Sequence, residues 1–202
     1  MLPTDHIVEN KMRHLHLEKK GIRGLAIAES FSQTSKKSVL SGIVMSTDLV
    51  IDGFVMGHST VGGDDATDAI LTMYEKLGRP DVNFLLIAGI VISLYNIVDV
   101  RKISEKIGLP VIGITYEESA GIEETIKHHF PDSYETKLAK YSKLGSRKKI
   151  TLNTSYNLYI QNEGCTILEA KQLLDKMTLQ GSIPEPLKIA QLLANTLLKT
   201  KF

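Results

Sequence analysis

The sequence predicts an α/β fold in which an antiparallel strand meander is followed by parallel strands with helices on both sides. Three observations predict it. Short β-branched runs lie close together in the first third of the chain, and apolar residues recur at helical spacing in the last third. Between them, two continuous apolar runs, Phe84–Ile87 and Val111–Ile114, flank a segment of helical period. Continuous apolar strands are typical of a parallel sheet that is buried on both faces.

The composition is that of an ordinary globular protein. The chain has 202 residues, of which 43% are hydrophobic and 23% charged, which is enough for one substantial core. A net charge of +1 argues against a global attraction to nucleic acid or membranes but leaves local basic patches open. We find no apolar run of the ~18 residues that span a bilayer, and the polar N-terminus is not a signal peptide. A single cysteine, Cys165, excludes an internal disulfide, so we expect a cytoplasmic protein with no membrane partner.

The domain organisation is simple, since no linker, repeat or low-complexity segment interrupts the chain. We expect residues 1–20 to form a flexible tail and residues 21–202 a single domain. The first three strands are predicted over Ile22–Ala28, Val39–Met45 and Val50–Gly57, joined by short turns as in an antiparallel meander.

Helices are predicted where apolar residues keep one face. The first follows the loop Gly62–Asp65 and ends at Gly78. The second is predicted between the two apolar runs and ends at Gly108; its apolar positions are Leu94, Ile97, Val98, Ile103 and Ile107.

The last third adds further elements. A helix is predicted over Ser119–Phe130, a short strand at Leu158–Gln161, and a helix opened by the capping box Thr166–Glu169. A final helix runs to about Leu198. Three meandering strands, a helix, a βαβ unit and further helices form the element order of a ribonuclease H-like domain.

The candidate site follows from this topology, because ligands of parallel sheets bind beyond the carboxyl ends of the strands. Gly89 and Tyr116 stand at those ends, and neither is a standard catalytic group. Asp64 and Asp65 precede the first helix, where acidic side chains also stabilise a helix N-terminus. We predict substrate contacts from residues around these ends: Gly63, Asp64, Gly89, Asn96, Asp99 and Tyr116.

Several segments resemble a known family. Lys20–Phe31 resembles the first strand of endonuclease V and of an uncharacterised archaeal protein family related to it. Leu109–Ile114 resembles the strand before the catalytic lysine of endonuclease V, and Gly181–Ala190 resembles the segment that opens its final helix. Gly63–Thr67 and Tyr95–Asp99 are closer to the archaeal family. The resemblance implies an endonuclease V-like form of the ribonuclease H-like fold.

The resemblance also implies a chemistry, the Mg²⁺-assisted hydrolysis of a phosphodiester near a deaminated purine. The first-strand carboxylate falls on Glu29, where the relatives generally have Asp. The second falls on Asp65, with Asp64 and Asp68 as less favoured alternatives. Glu29 and Asp65 are therefore the predicted catalytic residues and metal ligands.

The chain departs from that family at four places. The third carboxylate position falls on Ala88, the lysine position on Tyr116, and the final-helix Asp or His position on Gln191. Ser59–Gly62 holds no counterpart of the aromatic wedge that parts the strands at the lesion. Two carboxylates without the lysine make a weak magnesium site. The sequence therefore leaves open whether the metal-dependent hydrolysis of the family survives in this protein.

Three functions stay open on the sequence. The first is an endonuclease V-related protein that binds DNA or RNA, with Mg²⁺-dependent cleavage if it is active. The second is a non-catalytic module that binds RNA or DNA through the basic run Lys137–Lys149, within which Lys143, Arg147 and Lys148 are the predicted nucleic-acid contacts. The third is a small-ligand or nucleotide binder that uses the loop Gly62–Asp65 and a pocket beside Gly89.

Overall fold

The computed structural model describes residues 12–118 and 121–200 and begins with the predicted meander. Strands β1 (Arg23–Ser30), β2 (Lys37–Ser46) and β3 (Ile51–Thr60) pair antiparallel in sequence order. The elements that follow are α1 (Ala66–Leu77), β4 (Val82–Ala88), β5 (Val91–Ile92), β6 (Asn96–Ile97), α2 (Val100–Ile107) and β7 (Val111–Thr115). The last six are α3 (Glu123–His129), α4 (Tyr134–Lys143), β8 (Lys148–Thr151), β9 (Asn157–Glu163), α5 (Ile167–Met177) and α6 (Glu185–Lys199).

Seven strands form one mixed sheet in the order β3-β2-β1-β4-β7-β9-β8. Strand β4 runs parallel to both β1 and β7, and the other pairs are antiparallel. Ile27 pairs with Ile87 and Ala88 with Ile114, so the carboxyl ends of the three parallel strands meet at one edge. This arrangement confirms the predicted mixed α/β fold, and we call this edge the carboxyl edge.

The core lies in two layers, because successive strand residues point to opposite faces. Leu85 and Ile87 of β4 pack with α1 and α2, whereas Phe84 and Leu86 pack with α5 and α6. Gly24 is required for the second layer: a Cβ atom there would lie 1.9 Å from the Phe84 ring, which is fully buried. Such close packing on both faces explains the continuous apolar strands.

The predicted helix from Leu94 is wrong in its first half. Strands β5 and β6 form a hairpin there, and α2 begins only at Val100. Asp99 caps α2, its side chain accepting a hydrogen bond from the Lys102 N–H at 2.9 Å. Ile97 and Val98 are buried although the chain is extended there. The spacing of apolar residues alone does not distinguish such a buried extended segment from a helix.

The basic stretch 134–150 contains a helix and a strand, α4 and β8, that were not predicted. The third helix begins at Glu123, and Ser119, its predicted start, lies outside the described residues. The capping box at Thr166 is confirmed, with both reciprocal hydrogen bonds present.

Part of the predicted tail contacts the domain. Leu15 and Leu17 are buried in the layer that includes α5, and the Arg13 N–H donates to the Gly108 carbonyl at 2.9 Å. Residues 1–11 lie outside the described ranges, so the division of the chain at residue 20 stays a prediction. Within residues 12–118 and 121–200, no helix has the length and apolar character needed to span a membrane.

Candidate functional site

Glu29 lies at the carboxyl end of β1 with its side chain half-buried. Its Oε2 accepts a hydrogen bond from the Ser93 N–H at 3.1 Å, whereas Oε1 is buried without a hydrogen-bond partner among the described residues. Burial raises the pKa of Glu29, and the hydrogen bonds from Ser93 offset only part of that rise. An unpaired buried carboxylate oxygen is unfavourable, so Oε1 is suited to meet a donor or a cation.

A cluster of three buried serines holds the residue that contacts Glu29. The Ser93 hydroxyl lies 2.8 Å from that of Ser38 and 3.0 Å from that of Ser59, and these two lie 2.7 Å apart. Ser93 also begins three consecutive left-handed residues, with φ of 44°, 57° and 62° at Ser93, Leu94 and Tyr95. Such residues are strained and persist where their surroundings hold them. Contacts to β2 and β3 therefore fix the turn that points the Ser93 N–H at Glu29.

Asp65, the second predicted ligand, has its oxygens engaged by other groups. Thr60 donates through its N–H at 2.9 and 3.1 Å and through its hydroxyl at 2.7 Å, and the Asn96 amide donates at 2.7 Å. Burial alone would raise the pKa of Asp65, but these hydrogen bonds together outweigh it and hold the pKa below its ordinary value. The structure shows no hydrogen bond between Asp65 and Glu29; Asp65 instead closes the loop 60–65.

Asn96 completes the same loop from β6. This fully buried side chain accepts a hydrogen bond from the Ala66 N–H at 3.0 Å and donates to the Thr60 carbonyl at 2.9 Å. With the bond to Asp65, both amide hydrogens are in use. Asn96, predicted as a substrate contact, is thus engaged within the protein.

Lys137 of the basic stretch lies inside the protein. Its side chain is 3% exposed, and Nζ donates to the Gly63 carbonyl at 2.8 Å and the Tyr95 carbonyl at 3.3 Å. The same Nζ lies 4.6 Å from the centroid of the Phe130 ring and 3.4 Å from Asp64. A buried ammonium needs such partners. Gly63 and Asp64, predicted as substrate contacts, are therefore held by α4.

The remaining positions at the carboxyl edge carry no charge. Gly89 adopts φ +88° and donates its N–H to the Ile114 carbonyl at 2.7 Å. Tyr116 is half-buried against the layer that includes α6, and burial raises its pKa. Gln191 donates to the Glu29 carbonyl at 2.7 Å. Ala88, at the end of β4, supplies no ligand.

Glu29 and Asp65, the two predicted magnesium ligands, differ in the number of oxygens that they leave free. Across residues 12–118 and 121–200, no group of three or more His, Cys, Asp or Glu side chains is arranged to hold a metal. Glu29 offers one free oxygen, while Asp65 is saturated by donors. These residues do not fit a multi-carboxylate metal centre, so we assign no chemical step to a metal.

A cavity of about 540 Å³ opens beside this edge, between the start of α1, the start of α2, α4 and β9. Asp64, Asp99 and Lys143 line it, together with Gln161, whose Oε1 is buried without a partner in the described parts of the chain. The cavity lies away from Gly89, which does not line it. Lys143 and Lys148 are exposed and Arg147 is half-buried; none of the three forms an ion pair with another described residue.

Sequence reasoning missed the residues that organise the site. Ser38 and Ser59 did carry a signal, because each is a polar residue at an inward position of an apolar strand. Ser93 and Lys137 carried none: left-handed non-glycine residues and buried lysines look like ordinary surface positions in a sequence.

Known proteins resemble this chain in sequence over most of its length. The family model described as endonuclease dU matches residues 20–198. A UPF0215 protein of Pyrobaculum calidifontis is 33% identical over 172 residues, covering 85% of this chain and 94% of that protein. A UPF0215 protein of Thermococcus kodakarensis is 29% identical over 173 residues, covering 84% and 87%.

Solved structures show the same fold. A protein of unknown function from Archaeoglobus fulgidus superimposes with a TM-score of 0.75 at 24% identity, over 88% of this chain and 98% of that one. Endonuclease V from Streptomyces avermitilis gives 0.61 at 15%, over 96% and 86%. Endonuclease V from Ciona intestinalis, in complex with DNA containing an inosine, gives 0.59 at 15%, over 91% and 87%. The predicted ribonuclease H-like, endonuclease V-like fold is confirmed, and the chain belongs to the endonuclease dU family.

Proposed function

We propose that this protein binds nucleic acid across the carboxyl edge and is an endonuclease whose site is centred on Glu29. The observation that carries the proposal is the free Oε1 of Glu29, buried at the end of β1 in a member of the endonuclease dU family. A raised carboxyl pKa makes the ionised Glu29 a stronger proton acceptor than an ordinary carboxylate. Glu29 is therefore placed to accept a proton from the water that attacks a phosphodiester.

The family description names dU, so DNA containing deoxyuridine is the first substrate to test. The assay uses single- and double-stranded DNA with one deoxyuridine, one deoxyinosine or neither, and RNA with and without inosine. Each is run in Mg²⁺, in Mn²⁺ and in EDTA, so that metal-dependent cleavage is separated from metal-independent cleavage. Cleavage and binding are scored together.

The decisive variant is Glu29→Gln, with Glu105→Gln, an exposed carboxylate on α2, as the matched control. We expect Glu29→Gln to abolish cleavage and leave binding within about threefold of the wild type, since the amide keeps the size of the side chain. Cleavage that survives Glu29→Gln overturns the assignment of Glu29. Binding without cleavage in the wild type supports the non-catalytic module, and no binding to any nucleic acid overturns the proposal.

The nucleic-acid surface is proposed to include Lys143, Arg147 and Lys148. Phosphate contacts weaken with salt, and removing three of them should reduce the slope of log affinity against log salt by about two to three for duplex DNA. The triple alanine variant tests this. A matched control removes three exposed lysines elsewhere, Lys19, Lys20 and Lys199. Equal losses of affinity in the two triple variants would mean that binding depends on the net charge of the protein and not on contacts from this surface.

One observation favours the small-ligand function as a second candidate. Gln161, whose Oε1 is buried and unpaired among the described residues, belongs to the lining of the cavity of about 540 Å³, a size typical of small-molecule sites. A ligand with an N–H donor, such as a nucleobase, would pair with that oxygen once the side chain turned it into the cavity. Calorimetry with nucleosides and nucleotides tests it; heat of binding that disappears in Gln161→Leu supports this candidate, and no heat with any of them rejects it.

A further inference from the structure

Strand β3 forms one edge of the seven-stranded sheet, and part of it is uncovered. Phe54 and Met56 pair across the ladder with Ile43 and Ser41, on the face that α6 covers. Phe54 is nevertheless 58% exposed and Met56 37% exposed. Exposed edge strands are usually blunted by lysine, proline or a covering segment, and β3 carries neither residue between Ile51 and Thr60.

The outer backbone groups of β3 are occupied at both ends of a short stretch. The Asp52 carbonyl accepts a hydrogen bond from Arg79 at 2.9 Å. The Thr60 N–H donates to Asp65 and its carbonyl accepts from Asn96, so Thr60 also faces away from β2. The pairing with β2 is regular from Gly53 to Thr60.

Between these ends, three residues present their backbone outward. Alternate residues of an antiparallel strand direct both N–H and C=O to the same side. Phe54, Met56 and His58 therefore face away from β2 as Thr60 does, and no described residue forms a backbone hydrogen bond with them from that side. The free stretch is symmetric about Met56.

We propose that a second copy of this chain pairs antiparallel with β3 around a two-fold axis at Met56. In this register Met56 lies opposite Met56 of the other copy, and Phe54 lies opposite His58. Each pair exchanges both of its free N–H···O bonds, and the pairing stops where Asp52 meets Thr60, whose groups are already taken. The exposed Phe54 and Met56 side chains become covered by their counterparts.

Helix α1 supports the same axis with complementary charge. A Cβ atom on Gly57 would lie 2.6 Å from Met73 Cγ, so the middle of α1 is level with the centre of the free stretch. A groove of about 250 Å³ between β3 and α1 is lined by Asp68, Thr72 and Lys76. A two-fold axis at the level of Thr72 brings Asp68 of one copy opposite Lys76 of the other. Such pairs fix the register and disfavour other partners. Asp68 is 65% exposed while it contacts Lys102 at 2.7 Å, so it remains accessible.

Sedimentation velocity of the purified full chain tests the dimer, over about 1 to 100 µM protein. We expect a dimer for the wild type and a monomer for Met56→Lys, because two lysines would then face each other on the axis. Val50→Lys is the matched control, since Val50 is 59% exposed but lies before the free stretch. A wild type that is monomeric throughout, or a Met56→Lys protein that still dimerises, overturns the proposal. Circular dichroism verifies that each variant is folded.

A charge exchange tests the register. Asp68→Lys and Lys76→Asp each place like charges opposite one another, and each should weaken the dimer roughly tenfold at low salt. The double variant restores opposite charges and should recover the wild-type dissociation constant to within about threefold. If the double variant is as weak as the two single changes combined, the proposed register is wrong.

Discussion

Glu29 and Asp65 are two carboxylates near one edge of the sheet, and the protein treats them in opposite ways. Asp65 receives hydrogen bonds from the backbone and hydroxyl of Thr60 and from Asn96, whereas Glu29 receives one backbone bond from Ser93 and keeps a buried oxygen unpaired. The pKa of Asp65 is accordingly lowered and that of Glu29 raised. A carboxylate whose oxygens are all hydrogen-bonded stabilises a loop, whereas Glu29 keeps an acceptor that the described residues do not use. The variants below test this contrast.

The largest effect on stability is expected from Asn96→Ala. It leaves the Ala66 N–H without its partner at the start of α1, and it removes one of the two hydrogen bonds that the Thr60 carbonyl and Asp65 Oδ1 each accept. The expected loss is about 3 kcal/mol of unfolding free energy. Urea unfolding measures it, with Asn153→Ala, at an exposed turn position, as the control. A loss below about 1 kcal/mol would mean that Asn96 does not hold the loop.

Asp65→Asn should destabilise the protein by about 2 kcal/mol near neutral pH, because an amide cannot accept from Thr60 and Asn96 as a carboxylate does. The lowered pKa also sets a pH dependence. Stabilisation by Asp65 is present above the ordinary carboxyl pKa and disappears as the pH falls through the lowered value. Between about pH 6 and about pH 3 the wild type should therefore lose more stability than Asp65→Asn.

The control for that experiment is Asp64→Asn. Asp64 is 44% exposed and pairs with the exposed Lys140 at 3.1 Å and with the buried Lys137 at 3.4 Å, so its loss should cost about 1 kcal/mol, clearly less than Asp65→Asn. Equal effects at positions 64 and 65 would remove the special role given to Asp65.

Ser93→Ala affects the Glu29 side of the comparison. Losing the hydroxyl that bonds Ser38 and Ser59 should cost about 1 kcal/mol. The Ser93 hydroxyl also lowers the pKa of Glu29, so its removal should raise that pKa further. Carbon-detected NMR titration of the Glu29 carboxyl measures the change. Ser38→Ala disturbs the same cluster without touching Glu29, and it should leave the titration where it is.

Glu29→Gln should have the smallest effect on stability, and in the opposite direction. A raised folded-state pKa means that stability is fully present below the ordinary carboxyl pKa and falls as the pH rises through the raised value. The amide does not titrate, so Glu29→Gln should match or exceed the wild type at neutral pH, with the difference growing from acid toward neutral pH. A variant that is clearly less stable at neutral pH would show that the charged carboxylate supports the fold.

The sequence predicted the elements whose residues carry their own pattern. The meander, α1 and the strands at Phe84–Ile87 and Val111–Ile114 were found because alternation or continuous apolar runs mark them. The position of Glu29 followed from the resemblance of Lys20–Phe31 to a known first strand. Burial of the parallel strands on both faces made these signals strong.

The rest depended on contacts that no local pattern encodes. The left-handed turn that replaces a helix start is formed by Ser93, Leu94 and Tyr95. Because none of them is glycine, the sequence contains no signal for this turn. The buried residue of α4 is Lys137. Because the inward position is a lysine, the segment lacks the spacing of apolar residues from which a helix is predicted. The saturation of Asp65 rests on Asn96, thirty-one positions along the chain, and only the folded loop brings them together.

The burial of Lys137 makes its chemical labelling rate a measure of how often the loop 60–65 separates from α4. Its amino group lies under the Gly63 carbonyl and against the Phe130 ring, whereas Lys140 of the same helix is 43% exposed. An acylating reagent in solution reaches Lys137 only when α4 and the loop separate, while Lys140 reacts from the closed protein. The labelling rate of Lys137 relative to that of Lys140 thus reports how often the loop and α4 separate. Any ligand that bridges the loop and α4 should lower this relative rate.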